Sequence, residues 1–255
     1  IPSFLRAEEE GATSVELDVV QASDGTLVVL HDHTLERTTD GAGCAGDLGV
    51  GELQQLDAAI GTSLEGTGVV VPTLAEALAA ISVDVNIELK TNDNDSCPLT
   101  DRRALATAVA NDIAAGAGDR TILVSSFDLD ALDRLGEVAP DVPLGFLTLD
   151  TADIELASER GFDAVHLFSL LVDGPELVDD VHELGLELAV WTENDPDRFA
   201  TLAELGVDKI ITDEPDLAAA SLAELGDDGG CRASGRGSRP GLGLSLLALL
   251  AVVGR

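Results

Sequence analysis

An α/β barrel of the TIM (βα)8 type is the fold class this sequence predicts, and two observations predict it. A helix-compatible stretch, a closing glycine and an apolar strand recur along the chain, as Gly161 before Ala164-Val165-His166, Gly185 before Leu188-Ala189-Val190-Trp191, and Gly206 before Ile210-Ile211-Thr212. Alternation of this kind produces parallel strands covered by helices. Polar residues also stand at the C-terminal end of almost every strand, where barrel sites are built from the following loops. These are Glu16 and Asp18, Glu88 and Lys90, Ser125 and Ser126, His166, Trp191 with Thr192 and Asn194, and Asp213.

Taken in order, the chain opens with Ser3 placed to cap a helix over residues 4–10, which Gly11 closes. Strands are expected near 14–20, 85–90, 121–126, 143–148, 163–168, 186–192 and 207–213. After the first, the turn signal Ser23-Asp24-Gly25 sends Leu27-Val28-Val29-Leu30 back towards His31 and Asp32. An insertion at about 41–72 is rich in glycine and longer than a normal barrel loop, and a small helical cap over Gly51–Ile60 with a flexible return is expected there. Thr73 with Glu76 forms a capping box, and Pro175 and Pro196 sit where first helical turns begin. Seven strands make a barrel one short, and because the chain opens on a helix the first strand is expected upstream of Ile1. The barrel domain then covers 1–225, a flexible linker 226–240, and an apolar segment 241–255.

The 255 residues, 45% of them hydrophobic, can bury one such core. Forty-eight acidic against 14 basic residues give a net charge of −34, and the last acid is Asp228, so the body is more acidic than the total. Such a surface repels phosphate backbones and anionic lipid and argues against nucleic-acid binding. One Trp and no Tyr leave no stacking platform for bases. Cys44, Cys97 and Cys231 match no thiolate metal spacing. In an exported protein Cys44 and Cys97 could pair across two loops, and free thiols are the alternative.

The chemistry starts at Glu16 and Asp18, two apart in an apolar strand and therefore on one side of it. Alone they read first as a half-exposed edge hairpin with solvated acids. Glu88, inside Val85-Asn86-Ile87-Glu88-Leu89-Lys90, changes that balance, because an acid in so apolar a strand needs a cation. Three carboxylates form an all-oxygen site for a hard divalent ion, Mg²⁺ or Ca²⁺, with Mn²⁺ also compatible. Lys90 adds a point charge and His31 a group that exchanges protons near neutral pH. Together they suit hydrolysis of a phosphate ester.

The blocks VELDV, DGTLVVLHDHTLERTTDGAG, VPTLAEAL, NIELK, the SSF of VSSFD, VWTEN and IITDEPD, in this order, resemble the glycerophosphodiester phosphodiesterase family over residues 1 to about 220. The resemblance implies a PLC-like phosphodiesterase barrel that hydrolyses small-molecule glycerophosphodiesters to glycerol 3-phosphate and an alcohol with a divalent metal. It implies Glu16, Asp18 and Glu88 as metal ligands, His31 as catalytic acid–base, Lys90 as phosphate contact and Trp191 as pocket lining. The family's opening His-Arg-Gly strand is absent, so this chain is expected to be impaired relative to a longer parent. His33 is expected to face the loop. Alternatives are a phosphodiesterase of larger lipids and a degenerate metal-binding surface protein. The tail, Gly230-Cys231, an Arg-bearing spacer, the apolar run and Arg255, resembles myxobacterial C-terminal sorting signals. That implies processing or anchoring at Gly230 and Cys231, an exported cell-surface protein, and membrane association through an apolar helix of 13 residues, shorter than the roughly 20 that span a bilayer. The sequence is silent on oligomeric state.

Overall fold

A computed structural model of the chain describes residues 1–91, 96–227 and 245–249, the last five as backbone only. Nine strands are present among them: β1 (Ser14–Gln21), β2 (Leu27–Val29), β3 (Asp84–Leu89), β4 (Ile122–Ser126), β5 (Leu144–Thr148), β6 (Ala164–Phe168), β7 (Glu187–Trp191), β8 (Lys209–Thr212) and β9 (Ser245–Leu249). Eight of these run parallel in the order β1-β3-β4-β5-β6-β7-β8-β9, and β9 pairs back onto β1, so the barrel closes. The seven strands expected from the sequence all form, within two residues of their expected bounds.

The helices are α1 (Pro2–Glu9), α2 (Val50–Leu53), α3 (Leu74–Ala80), α4 (Arg102–Gly116), α5 (Leu129–Val138), α6 (Ile154–Glu159), α7 (Pro175–Glu183), α8 (Pro196–Leu205) and α9 (Pro215–Asp227). Three expectations are corrected. Ser3 does not cap α1: Ile1 is the cap residue and Pro2 occupies the first turn, where its missing N–H costs nothing. The helical cap in the insertion shrinks to the four residues of α2, whose Gly49 start is closed by Glu52, and around it lie a 3-10 turn at Ala45–Asp47, isolated bridges of Cys44 with Thr34 and of Asp57 with Val70, and turns. The third concerns the tail. Where an apolar helix is expected, Ser245–Leu249 is a strand lying between β8 and β1, the position the sequence reading reserves for a strand upstream of Ile1. Open edges of β1 and β8 attract a partner strand. A continuous apolar run is also what a parallel strand covered on both faces looks like.

Burial follows from the closure. In β1, Val15, Leu17 and Val19 face outward into the main core with Phe4 of α1 and Leu74 and Leu78 of α3. The alternate residues, Glu16 and Asp18, consequently face the barrel interior. The other half of that edge of β1 takes β2 antiparallel, Val19 opposite Val29 and Gln21 opposite Leu27, through a turn with Gly25 at φ 87°. A smaller core under the insertion, including Val20, Val28, Leu35 and Leu53, packs this hairpin down.

Cys44 and Cys97, left open by the sequence, are disulfide-bonded and tie the insertion to the loop between β3 and α4. The bridge closes a loop of 53 residues. Replacing both cysteines by serine is expected to lower unfolding free energy by about 2–4 kcal/mol, read as a lower urea midpoint with a slope that rises as the unfolded chain loses its cross-link.

Candidate active site

Asp18 and Glu88 are direct partners across β1 and β3, and two residues back Glu16 is the partner of Asn86. Strand alternation therefore points all four side chains to the interior. One ligand oxygen from each of Glu16, Asp18 and Glu88 lies within 4.8 Å of the others. The three acids are only 3%, 4% and 8% exposed, so their charges are almost fully removed from water. Lys90, just past β3, sets its Nζ 2.6 Å from Glu88 Oε1 and 3.0 Å from Asp18 Oδ1.

One lysine against three buried acids leaves a charge deficit. Glu16 Oε2 is buried with no hydrogen-bond partner. Burial, then the charges of Asp18 and Glu88, hold the Glu16 carboxyl well above the usual range. Burial likewise pushes Glu88 up to about 7, against the pull of Lys90. Burial alone would lower Lys90, but the charges of Glu88 and Asp18 outweigh it and hold the ammonium above the ordinary lysine value. An all-oxygen donor set short of positive charge, with an orphaned carboxylate oxygen, fits a hard divalent cation.

These residues open into a cavity of about 340 Å³. His31 and Trp191 line it together with the acids and Lys90, so every barrel residue singled out for the site from sequence borders one space. His31 follows β2, where Leu30 N–H donates to the Asp18 carbonyl at 3.0 Å. Its Nδ1 lies 2.6 Å from Asp32 Oδ1. Trp191 is fixed by an indole N–H donated to the His166 carbonyl at 3.1 Å and by Phe127, edge-on with ring centroids 5.5 Å apart.

Not every polar strand end belongs here. Ser125 and Thr192 line the cavity, but Ser126 donates to the Leu89 carbonyl and receives the Asp128 N–H, a structural role. Asn194 is spent on Thr212 and Asp213. His166 points to the opposite end of the barrel, into a cavity of about 40 Å³ bordered by Ser14, Asp84 and Lys209, the first residues of their strands. Burial lowers its pKa to about 3, and a Cβ at Gly145 would lie 2.7 Å from its Nε2, so glycine there makes room for the ring. His33, as expected, turns away; it borders a separate cavity with Gly46 and Cys97. Gly230 and Cys231 lie outside the described residues. Sequence reading assigned no role to Asn86, Phe127, Asp32 or Arg37. The first two line the cavity, and the last two hold His31.

Comparison with known proteins gives one answer. The Glycerophosphoryl diester phosphodiesterase family matches residues 1–217. A glycerophosphodiester phosphodiesterase of Caldanaerobacter subterraneus subsp. tengcongensis is 31% identical over 223 residues, spanning 85% of this chain and 88% of that protein. Among solved structures, an Oleispira antarctica phosphodiesterase in complex with the product sn-glycerol-3-phosphate superposes with a TM-score of 0.77 at 27% identity, covering 87% of this chain and 89% of that one. A glycerophosphodiester phosphodiesterase from Agrobacterium tumefaciens gives 0.68 at 28% identity, covering 84% and 90%.

Proposed function

The chain belongs to the glycerophosphoryl diester phosphodiesterase family, and from that premise we propose that its barrel mouth hydrolyses glycerophosphodiesters to glycerol 3-phosphate and an alcohol with the aid of a divalent cation. The observation that carries the metal is the cluster of three buried carboxylates with one lysine and a partnerless Glu16 oxygen. Glu16, Asp18 and Glu88 would hold the ion, which when bound supplies positive charge to a phosphoryl oxygen. Mg²⁺, Ca²⁺ and Mn²⁺ all suit such ligands. Lys90 bridges Asp18 and Glu88 and offers its remaining hydrogen to a phosphate oxygen. His31 exchanges a proton with the attacking water or the departing alcohol. Trp191 and Phe127 give the cavity an apolar wall for the carbon skeleton.

The test is glycerol 3-phosphate release, measured on this chain and on a form in which a strand ending in His-Arg-Gly precedes Ile1 in place of Ser245–Leu249, before and after chelation and with each ion restored. Release that stops on chelation and returns with metal is expected, greater in the extended form. Calorimetric titration of the ion reads binding without activity. Release untouched by chelator, or none from either form, sinks the reading.

Phe127 (47% exposed), Leu149 (62%) and Leu170 (70%) follow β4, β5 and β6, consecutive staves, and so form an apolar arc on the mouth. This favours larger lipid substrates as a second reading, decided by offering single-chain glycerophospholipids in the same assay.

The tail reading gives export, surface display and membrane association through the C-terminus, with Gly230-Cys231 as the processing point. Cleavage there would part Ser245–Leu249 from the barrel, so the two roles of the tail compete. Mass analysis of the mature C-terminus separates them: an end at Cys231 supports sorting, and an intact chain overturns it.

A further inference from the structure

We propose that Asp32 and Arg37 form a positioning pair that keeps the His31 proton on Nδ1 and so leaves Nε2 as the nitrogen that exchanges protons in the cavity. The proposal rests on the phosphodiesterase reading for its purpose, though not for its geometry. His31 Nδ1 and Asp32 Oδ1 are 2.6 Å apart, a separation that requires a proton between them. Asp32 cannot be its source. The Arg37 guanidinium grips both carboxylate oxygens, Nε–H donating to Oδ2 and Nη2–H to Oδ1 at 2.9 Å, a fork that favours the ionised acid. The hydrogen-bonded Arg37 guanidinium, the largest influence, holds Asp32 down to about 2. Nη2 also stands 3.3 Å from Nδ1, but two donors do not bond each other, so its hydrogen belongs to Oδ1. What remains is Nδ1–H, and in the neutral ring that tautomer makes Nε2 the nitrogen whose lone pair can act as a base.

The pair is held by the fold rather than by chance contact. Arg37 sits between Leu35, fully buried in the core under the insertion, and Thr39, whose hydroxyl donates to the Leu35 carbonyl at 2.8 Å. Other charged groups near His31 are Lys90 and the acids Glu16, Asp18 and Glu88 across the cavity, with His33 two residues on. None of them has a hydrogen bond to either ring nitrogen among the described contacts, whereas Asp32 does.

Asp32→Asn tests this with two readouts. Long-range ¹H–¹⁵N spectra of the full chain report the tautomer directly: the wild type is expected as Nδ1–H, and the variant, whose amide donates to the ring, as predominantly Nε2–H. In a hydrolytically active form, kcat is expected to fall roughly 10- to 100-fold with KM within about twofold. Arg37→Lys should retain more activity than Arg37→Gln. An Nε2–H wild type overturns the proposal even if Asp32→Asn fails to fold, and so does an unchanged tautomer in a folded variant. Intact hydrolysis with the wrong tautomer defeats only this pair, and absent hydrolysis with the Nδ1–H tautomer defeats only the enzymatic reading.

Discussion

Glu16→Gln is expected to make the metal-free protein more stable while removing its hold on the cation. Glu16 is almost fully buried, partnerless at Oε2 and faced by two other acids, so its charged form is a liability in the empty barrel. Glutamine keeps the shape and deletes the charge. The gain at neutral pH follows from burial and the charges of Asp18 and Glu88, which disfavour the Glu16 carboxylate. Cation affinity should fall at least ~100-fold, since even groups that merely support a ligand are worth 10- to 100-fold. Melting in chelator should rise, and the further rise on adding metal should vanish. A variant that melts lower in chelator than the wild type would show that Glu16 is satisfied by something other than an ion.

Lys90→Met should act in the opposite direction on stability. Among the described residues Lys90 is the cation paired with Asp18 and Glu88, at 3.0 and 2.6 Å. Breaking a buried pair by removing one partner costs about 3–5 kcal/mol, because the other charge stays buried. Urea unfolding in chelator should report a loss of this order, and saturating divalent cation should recover part of it by supplying the missing charge. On the proposed role of Lys90 as the phosphate contact, glycerol 3-phosphate release should not recover with it. An unchanged midpoint in chelator would mean the acids are protonated in the folded state and need no lysine.

How much of the site was legible in the chain depends on which residues set it. Glu16 and Asp18 could be placed on one side of one strand because side-chain alternation is local. Glu88 and Lys90 were suspicious for a similar reason, polar groups inside an apolar run. His166 met the same description and lies at the far end of the barrel, facing Gly145. Nothing in Ala164-Val165-His166 states how far β6 is shifted against its neighbours, and that shift decides which cavity a side chain enters. Asp32 and Arg37 stand in the DGTLVVLHDHTLERTTDGAG stretch, yet their grip on His31 needed the loop's return path.

The sequence by itself determined the alternating βα order, the seven strands, the acidic character and the carboxylate–lysine–histidine chemistry, because periodicity and residue type are properties of short stretches. Only the tertiary structure decided that Asp18 stands beside Glu88, that Cys44 meets Cys97, that an apolar tail segment lies as the eighth stave, and which histidine reaches the acids. Each of those depends on register and closure between segments far apart in the chain, and no local pattern encodes the distance between two strands that have not yet met.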